Sequence, residues 1–137
     1  MNINKNIGAW GEFYAAKLYL TRGYKLLVRN SFNRKGKQLG EIDLILSRNN
    51  VLVFVEVKTR ASGKYGYPEE SVTYQKQQRI IKAVQWFLNS HPEFQNFQPR
   101  IDVCAILLLE SAKLCFAPDL DKFVKYSKII TNAVELN

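Results

Sequence analysis

Apolar residues in this chain recur with two periods, one near 3.6 residues and one of two, and their order sketches a fold. Ile7, Trp10, Tyr14 and Leu18, joined by Ala15, repeat at helical spacing. They predict a helix capped by Asn4 or Asn6, running to about Leu20 and stopped near Gly23. Tyr24 to Asn33 sets Leu26 and Val28 against Leu27, as a strand does. A basic turn, Asn33-Arg34-Lys35-Gly36-Lys37, leads into Gly40 to Arg60, GEIDLILSRNNVLVFVEVKTR. That stretch reads as two further strands joined by a polar turn at Ser47-Arg48-Asn49-Asn50. Connections this short allow no crossover, so the three strands are expected to form an antiparallel meander.

Pro68, Glu69 and Glu70 suit the start of a second helix, and Ile80, Ala83, Val84, Phe87 and Leu88 carry its apolar stripe. Asn89-Ser90-His91-Pro92 ends it. Arg100 to Leu109, RIDVCAILLL, is almost continuously apolar, as expected of a central strand covered on both faces. A helix precedes it, so it can lie parallel to the third strand. KLCFA then predicts a short return strand, and Tyr126 to Leu136 a short terminal helix. The expected fold class is α/β, in a single domain spanning 1–137. A mixed sheet, the antiparallel three-strand meander plus a parallel strand after a crossover helix, is flanked by helices.

Charge changes the picture next. Twenty Lys and Arg against twelve Asp and Glu give a net charge of +8, which points to a polyanionic partner, nucleic acid or an anionic surface. No run approaches the roughly 18 apolar residues that span a bilayer. Glu12 and Lys17 interrupt the N-terminal apolar residues, so a signal peptide is not expected. A cytoplasmic protein with no membrane partner follows as the expectation, and Cys104 and Cys115, lacking a CxxC spacing, read as reduced core thiols. His91 stands alone in a polar break, where a surface role is expected. The chain has no phosphate-binding glycine loop, no GxSxG and no His/Cys metal spacing.

Three charges sit inside the apolar strands: Asp43 on the second, Glu56 and Lys58 on the third. Alternation puts Glu56 and Lys58 on one face and Val53, Val55 and Val57 on the other. An isolated charge in such a strand costs several kcal/mol, so each needs a partner. A hard divalent cation takes oxygen ligands and asks a protein for only one or two carboxylates. Asp43 and Glu56 meet that demand if register places them on one face, and the Val57 carbonyl adds a further oxygen. Lys58, on the side of Glu56, can stabilise phosphate charge or orient an attacking water. The ordinary alternative is a solvated Glu-x-Lys pair. Small residues around Glu12 allow its helix to approach the sheet closely, against the alternative of a solvated glutamate favoured by the helix dipole. Arg60, Lys64 and Tyr65 in a Gly-Tyr loop, followed by Lys76, Arg79 and Lys82 on the next helix, offer phosphate contacts and a base-stacking ring. A plain connection and a solvated helix face are the alternatives.

The run GAWGEFYAAKLYL, then GY and RN, then GEIDLI, FVEVKTR and RIDVCAI resembles the YraN-like family of predicted endonucleases, within the restriction-endonuclease-like, PD-(D/E)xK, superfamily. The resemblance covers roughly Gly8 to Ile106, with the motifs in order. It implies a restriction-endonuclease-like core, with Asp43, Glu56 and Lys58 in the places of the D, E and K. Glu12 matches the helix glutamate that completes the metal site in archaeal Holliday-junction resolvases and their relatives. Ile42 stands where the superfamily name has proline, which is no metal ligand. The implied activity is Mg²⁺-dependent hydrolysis of DNA phosphodiesters, with Mn²⁺ as a substitute, on branched or otherwise structured DNA in repair or recombination. A junction-cutting enzyme would need two active sites, hence a homodimer. The competing expectations are a non-catalytic nucleic-acid-binding module that keeps the fold, and a basic adaptor for another protein.

Overall fold

A computed structural model describes residues 3–32, 41–61, 66–114 and 119–136. Helix α1 (Ile3–Leu20) is followed by strands β1 (Lys25–Phe32), β2 (Glu41–Arg48) and β3 (Val51–Ala61). Helix α2 (Tyr74–Ser90) then leads to β4 (Gln98–Leu108) and β5 (Val124–Val134). The five strands form one sheet in sequence order, antiparallel throughout except for the parallel pair β3–β4. The expected meander, parallel strand and flanking helices are therefore all present, as in a restriction-endonuclease-like core.

Local chemistry explains the junctions. After α1 the chain closes with Gly23 at φ 85, its N–H donating to the Leu20 carbonyl and that of Tyr24 to the Tyr19 carbonyl. Positive φ is where glycine has no Cβ to penalise. Between β2 and β3 the turn narrows to Asn49 and Asn50, with Asn49 at φ 55 and Arg48 paired directly with Val51. Asparagine tolerates this left-handed region better than other side-chain-bearing residues.

Strand β3 is the centre of the molecule. Val53 and Val55 pack with Ala15, Ala16 and Tyr19 of α1, while Leu52 and Phe54 pack with Ile80, Val84 and Phe87 of α2. Burying aliphatic or aromatic side chains of this size stabilises by about 1.5–3 kcal/mol each relative to exposure, so the two layers fix β3 firmly up to Val55. Cys104 is fully buried in the α1 layer, and burial pushes its thiol up to about 12. Cys115 lies outside the described residues. No helix among the described residues is long and apolar enough to cross a membrane.

Five expectations change, the first in β1, where a bulge between Leu26 and Val28 leaves Leu26 in the α1 layer and puts Val28 with Leu27 in the α2 layer. Asn4 and Asn6 lie inside α1 rather than capping it, since the helix starts at Ile3. The second helix is split: Pro68–Ser71 is a short 3-10 turn, and Thr73 caps a separate α2, its hydroxyl accepting the Lys76 N–H at 3.3 Å. Lys113 and Leu114 close a 3-10 turn from Glu110 instead of opening a return strand. The return partner of β4 is Val124–Val134, where a terminal helix was expected. The reason lies in β4: all residues from Ile101 to Leu108 are buried, and their backbone groups need a ladder on both sides. Pairing with β4 overrides the weak helical pattern of the tail.

Candidate metal and phosphate site

The site begins where β2 and β3 part. Their ladder runs from Arg48–Val51 to Leu44–Val55, and Asp43 follows. Continued regularly, the ladder would set Val57 against Ile42. Instead the Val57 N–H donates to Asp43 Oδ2 at 2.8 Å. Ile42 packs in the same layer as Ile45, which strict alternation through Leu44 does not allow. Strand β2 therefore turns over at Asp43, and a side-chain carboxylate takes the place of a backbone carbonyl beside β3. In an extended strand the N–H and C=O of one residue point the same way, so the Val57 carbonyl also faces the gap that β2 leaves.

Glu56 is the one acidic residue besides Asp102 that is buried among the described residues, at 7% exposure. It sits on β3 opposite Val103 of β4, on the α2 side of the sheet with Leu52 and Phe54. Two ammonium groups reach its Oε1: Lys58 Nζ at 3.6 Å and Lys76 Nζ at 3.4 Å. Burial pushes the Lys58 ammonium below the ordinary lysine range, and the adjacent Lys76 pushes the same way, against the pull of Glu56 and Asp43. Asp43, Glu56, Lys58 and Lys76 therefore form one electrostatic cluster. Its two carboxylates and the Val57 carbonyl are hard oxygen donors, a set that fits a divalent cation such as Mg²⁺.

Glu12 approaches from the opposite layer. It is half-buried on α1, next to Gly11, which lies against Thr59 of β3. Among the described residues no group of three or more His, Cys, Asp or Glu side chains is gathered for a metal ion. A Cβ added at Gly11 would collide with Thr59 Oγ1 and lie 3.1 Å from the Thr59 Cβ. Since α1 and the strand that carries Lys58 meet there without slack, Gly11→Ala is expected to destabilise by about 1–3 kcal/mol. Urea denaturation measures this. Thr59→Ala in the same protein should recover part of the loss, because the two sites touch.

The proposed nucleic-acid contacts divide. Arg60 is half-buried at the end of β3, in register with Leu107. Lys64 and Tyr65 lie outside the described residues. Arg79 and Lys82 are exposed on α2, as a basic ridge requires, but Lys76 turns inward to Glu56. That inward turn is the feature the sequence reading missed. A signal existed: once α2 starts at Tyr74, Lys76 is a cation in a first turn that holds no acid, where the helix dipole disfavours it. Placing the helix start at Pro68 concealed this. His91 caps α2 and stacks on Phe87 with ring centroids 4.0 Å apart. A separate hollow of about 340 Å³ lies between Tyr67, Glu69, Tyr126, Ser127 and Lys128, in which Glu69 accepts from the Tyr126 hydroxyl at 2.6 Å and pairs with Lys128.

The family model for Uncharacterised protein family UPF0102 matches residues 11–106, a span that holds Glu12, Asp43, Glu56, Lys58 and Lys76. The chain belongs to the UPF0102 family. A UPF0102 protein of Acinetobacter baumannii is 36% identical over 137 residues, covering 100% of both chains. One from Chloroherpeton thalassium is 45% identical over 116 residues, 85% of this chain and 86% of the relative. Another, from Caldanaerobacter subterraneus, is 44% identical over 104 residues, 76% of this chain and 81% of the relative. The UPF0102 match thus runs from the middle of α1 through most of β4, across the elements that frame the site.

Proposed function

We propose that this UPF0102 protein is a metal-dependent DNA endonuclease of the restriction-endonuclease-like, PD-(D/E)xK, superfamily, hydrolysing phosphodiester bonds in branched or otherwise structured DNA. The observation that carries the reading is the pair of carboxylates at the β2–β3 parting. Asp43 is fixed by the Val57 N–H, and Glu56 faces two lysines in a largely buried setting. Asp43, Glu56 and the Val57 carbonyl would hold Mg²⁺ or Mn²⁺. When bound, the ion would supply charge neutralisation at phosphorus and a water of lowered pKa. The protein's own residues then have separate tasks. Lys58 places a positive charge where the phosphate oxygens gain negative charge, or orients the attacking water. Asp43 keeps its direction through the Val57 bond, so one carboxylate is positioned before substrate arrives. Glu12, in the opposite layer, would assist from the α1 side. Arg60 and Arg79, with Lys64 and Tyr65, would contact the flanking backbone and bases. The reading includes a cytoplasmic location and, for four-way junctions, a homodimer.

One observation favours a second reading, a non-catalytic nucleic-acid-binding module. Glu56 faces two cations supplied by the chain itself, Lys58 and Lys76. A cleavage panel separates the two. Duplex, flap, single-stranded and four-way-junction DNA are incubated with Mg²⁺, Mn²⁺ or EDTA. Metal-dependent nicking of at least one structure is expected. Salt-dependent binding without cleavage of any substrate would leave the binding module instead.

A further inference from the structure

Two ammonium groups converge on one oxygen of Glu56, but they are held differently. Lys58 is rooted in β3 two residues from Glu56 and keeps 24% of its side-chain surface exposed. Lys76 reaches in from the first turn of α2 and keeps 35%. That turn carries no acidic residue, and a helix N-terminus disfavours a cation. The inward pose of Lys76 therefore depends on the Glu56 charge. A divalent cation beside Asp43 and Glu56 would compete for that same charge and repel both ammonium groups. Lys58 is confined by its strand. Lys76, on a helix turn and the more exposed of the two, is the one that can leave. A phosphate oxygen arriving at the site would give it a new anionic partner.

We propose that Lys76 is a displaceable counter-cation. It neutralises Glu56 in the metal-free protein, opposes divalent-cation binding, and transfers to a phosphate when a polyanion arrives, so that metal and nucleic acid bind cooperatively. This rests on Asp43 and Glu56 being the metal-holding pair. It reassigns Lys76 from a surface contact to a positioning residue that links the two ligands. Linkage requires the coupling to be mutual: whatever factor nucleic acid adds to metal affinity, metal adds to nucleic-acid affinity.

The test is Mn²⁺ binding to the full chain, followed by the electron paramagnetic resonance signal of free Mn²⁺. Wild type, K76M, K76R and D43N/K76M are compared, each shown to be folded by its thermal midpoint. K76M is expected to bind Mn²⁺ roughly tenfold more tightly than wild type, within the usual span of coupling between two ligands, and K76R no more tightly. In fluorescence anisotropy with a labelled oligonucleotide that the cleavage panel shows to stay intact, saturating Mn²⁺ should tighten binding to wild type by a similar factor. It should leave K76M nearly unchanged. Equal or weaker Mn²⁺ binding by folded K76M overturns the proposal, as does equal metal-induced tightening in both proteins. Tighter Mn²⁺ binding by K76M without cleavage of any DNA leaves this proposal standing and removes the nuclease reading. Tight binding that persists in D43N/K76M places the ion away from Asp43, and both fail.

Discussion

Replacing Asp43 by asparagine is expected to lower metal-dependent cleavage by about a hundredfold or more while moving the thermal midpoint by no more than a few degrees. The two effects separate because Asp43 has two roles. Its Oδ2 accepts the Val57 N–H at 2.8 Å, and an asparagine carbonyl oxygen can accept the same bond. The parting of β2 from β3 therefore survives. What is lost is the negative charge, which a hard cation needs and which also pulls the Lys58 ammonium toward its charged form. Asp43→Ala is a poorer experiment, since it leaves the half-buried Val57 N–H without its acceptor, at about 1–3 kcal/mol. Initial nicking rates on the best substrate of the panel measure the effect, with a melting curve for each protein. An Asp43→Asn rate within tenfold of the parent would remove Asp43 from any metal-holding role.

The second large effect is expected on stability, away from the site. Asp102 on β4 is completely buried, and four donors converge on its carboxylate. Oδ1 accepts from Arg100 Nε and the Asn132 N–H, each at 2.9 Å, and Oδ2 from the Tyr19 hydroxyl at 2.8 Å and Arg100 Nη2 at 2.9 Å. Arg100 also donates to the Tyr24 hydroxyl at 2.9 Å. The network ties α1, the turn after it, β4 and the bulged part of β5, where Asn132 takes φ 53. Its field is visible in its members: burial and Asp102 raise the Tyr19 phenol well above the usual range, and the Asp102 hydrogen bonds raise Arg100. A buried ion pair is often no better than a hydrophobic pair of the same shape, but removing one partner strands the other. Asp102→Ala should cost about 3–5 kcal/mol, because Arg100, Tyr19 and the Asn132 N–H all lose their acceptor. For a chain of this size that corresponds to a midpoint lower by roughly 10–20 °C. Calorimetry checks it; a fall of only a few degrees would mean that water or a shifted Arg100 replaces the carboxylate.

Much of the fold is written locally. The β2–β3 hairpin follows from two asparagines between alternating valines and leucines, and α1 from a stripe closed by Gly23. The parallel β3–β4 pair follows from an apolar run preceded by a helix. The candidate site was legible as far as residue type goes: Asp43, Glu56 and Lys58 were conspicuous as charges among valines. The tail was misjudged because Tyr126 to Leu136 is a strand only through its partner. Its pairing energy resides in β4, whose partner residues lie 16 to 33 positions upstream, and no local periodicity records it.

The parting at β2–β3 marks the boundary between the two kinds of information. The sequence by itself determined which residues carry charge, which strand they occupy, and that Glu56 and Lys58 share a face, because side-chain alternation is a local property of an extended backbone. Only the tertiary structure decided that β2 turns over at Asp43 and spends a carboxylate on the Val57 N–H. Only it brought Lys76 across from α2 to join Lys58 on Glu56 Oε1. Ion pairs and side-chain acceptors between separate elements depend on where two layers of packing set those elements, and that distance is not a property of either segment alone.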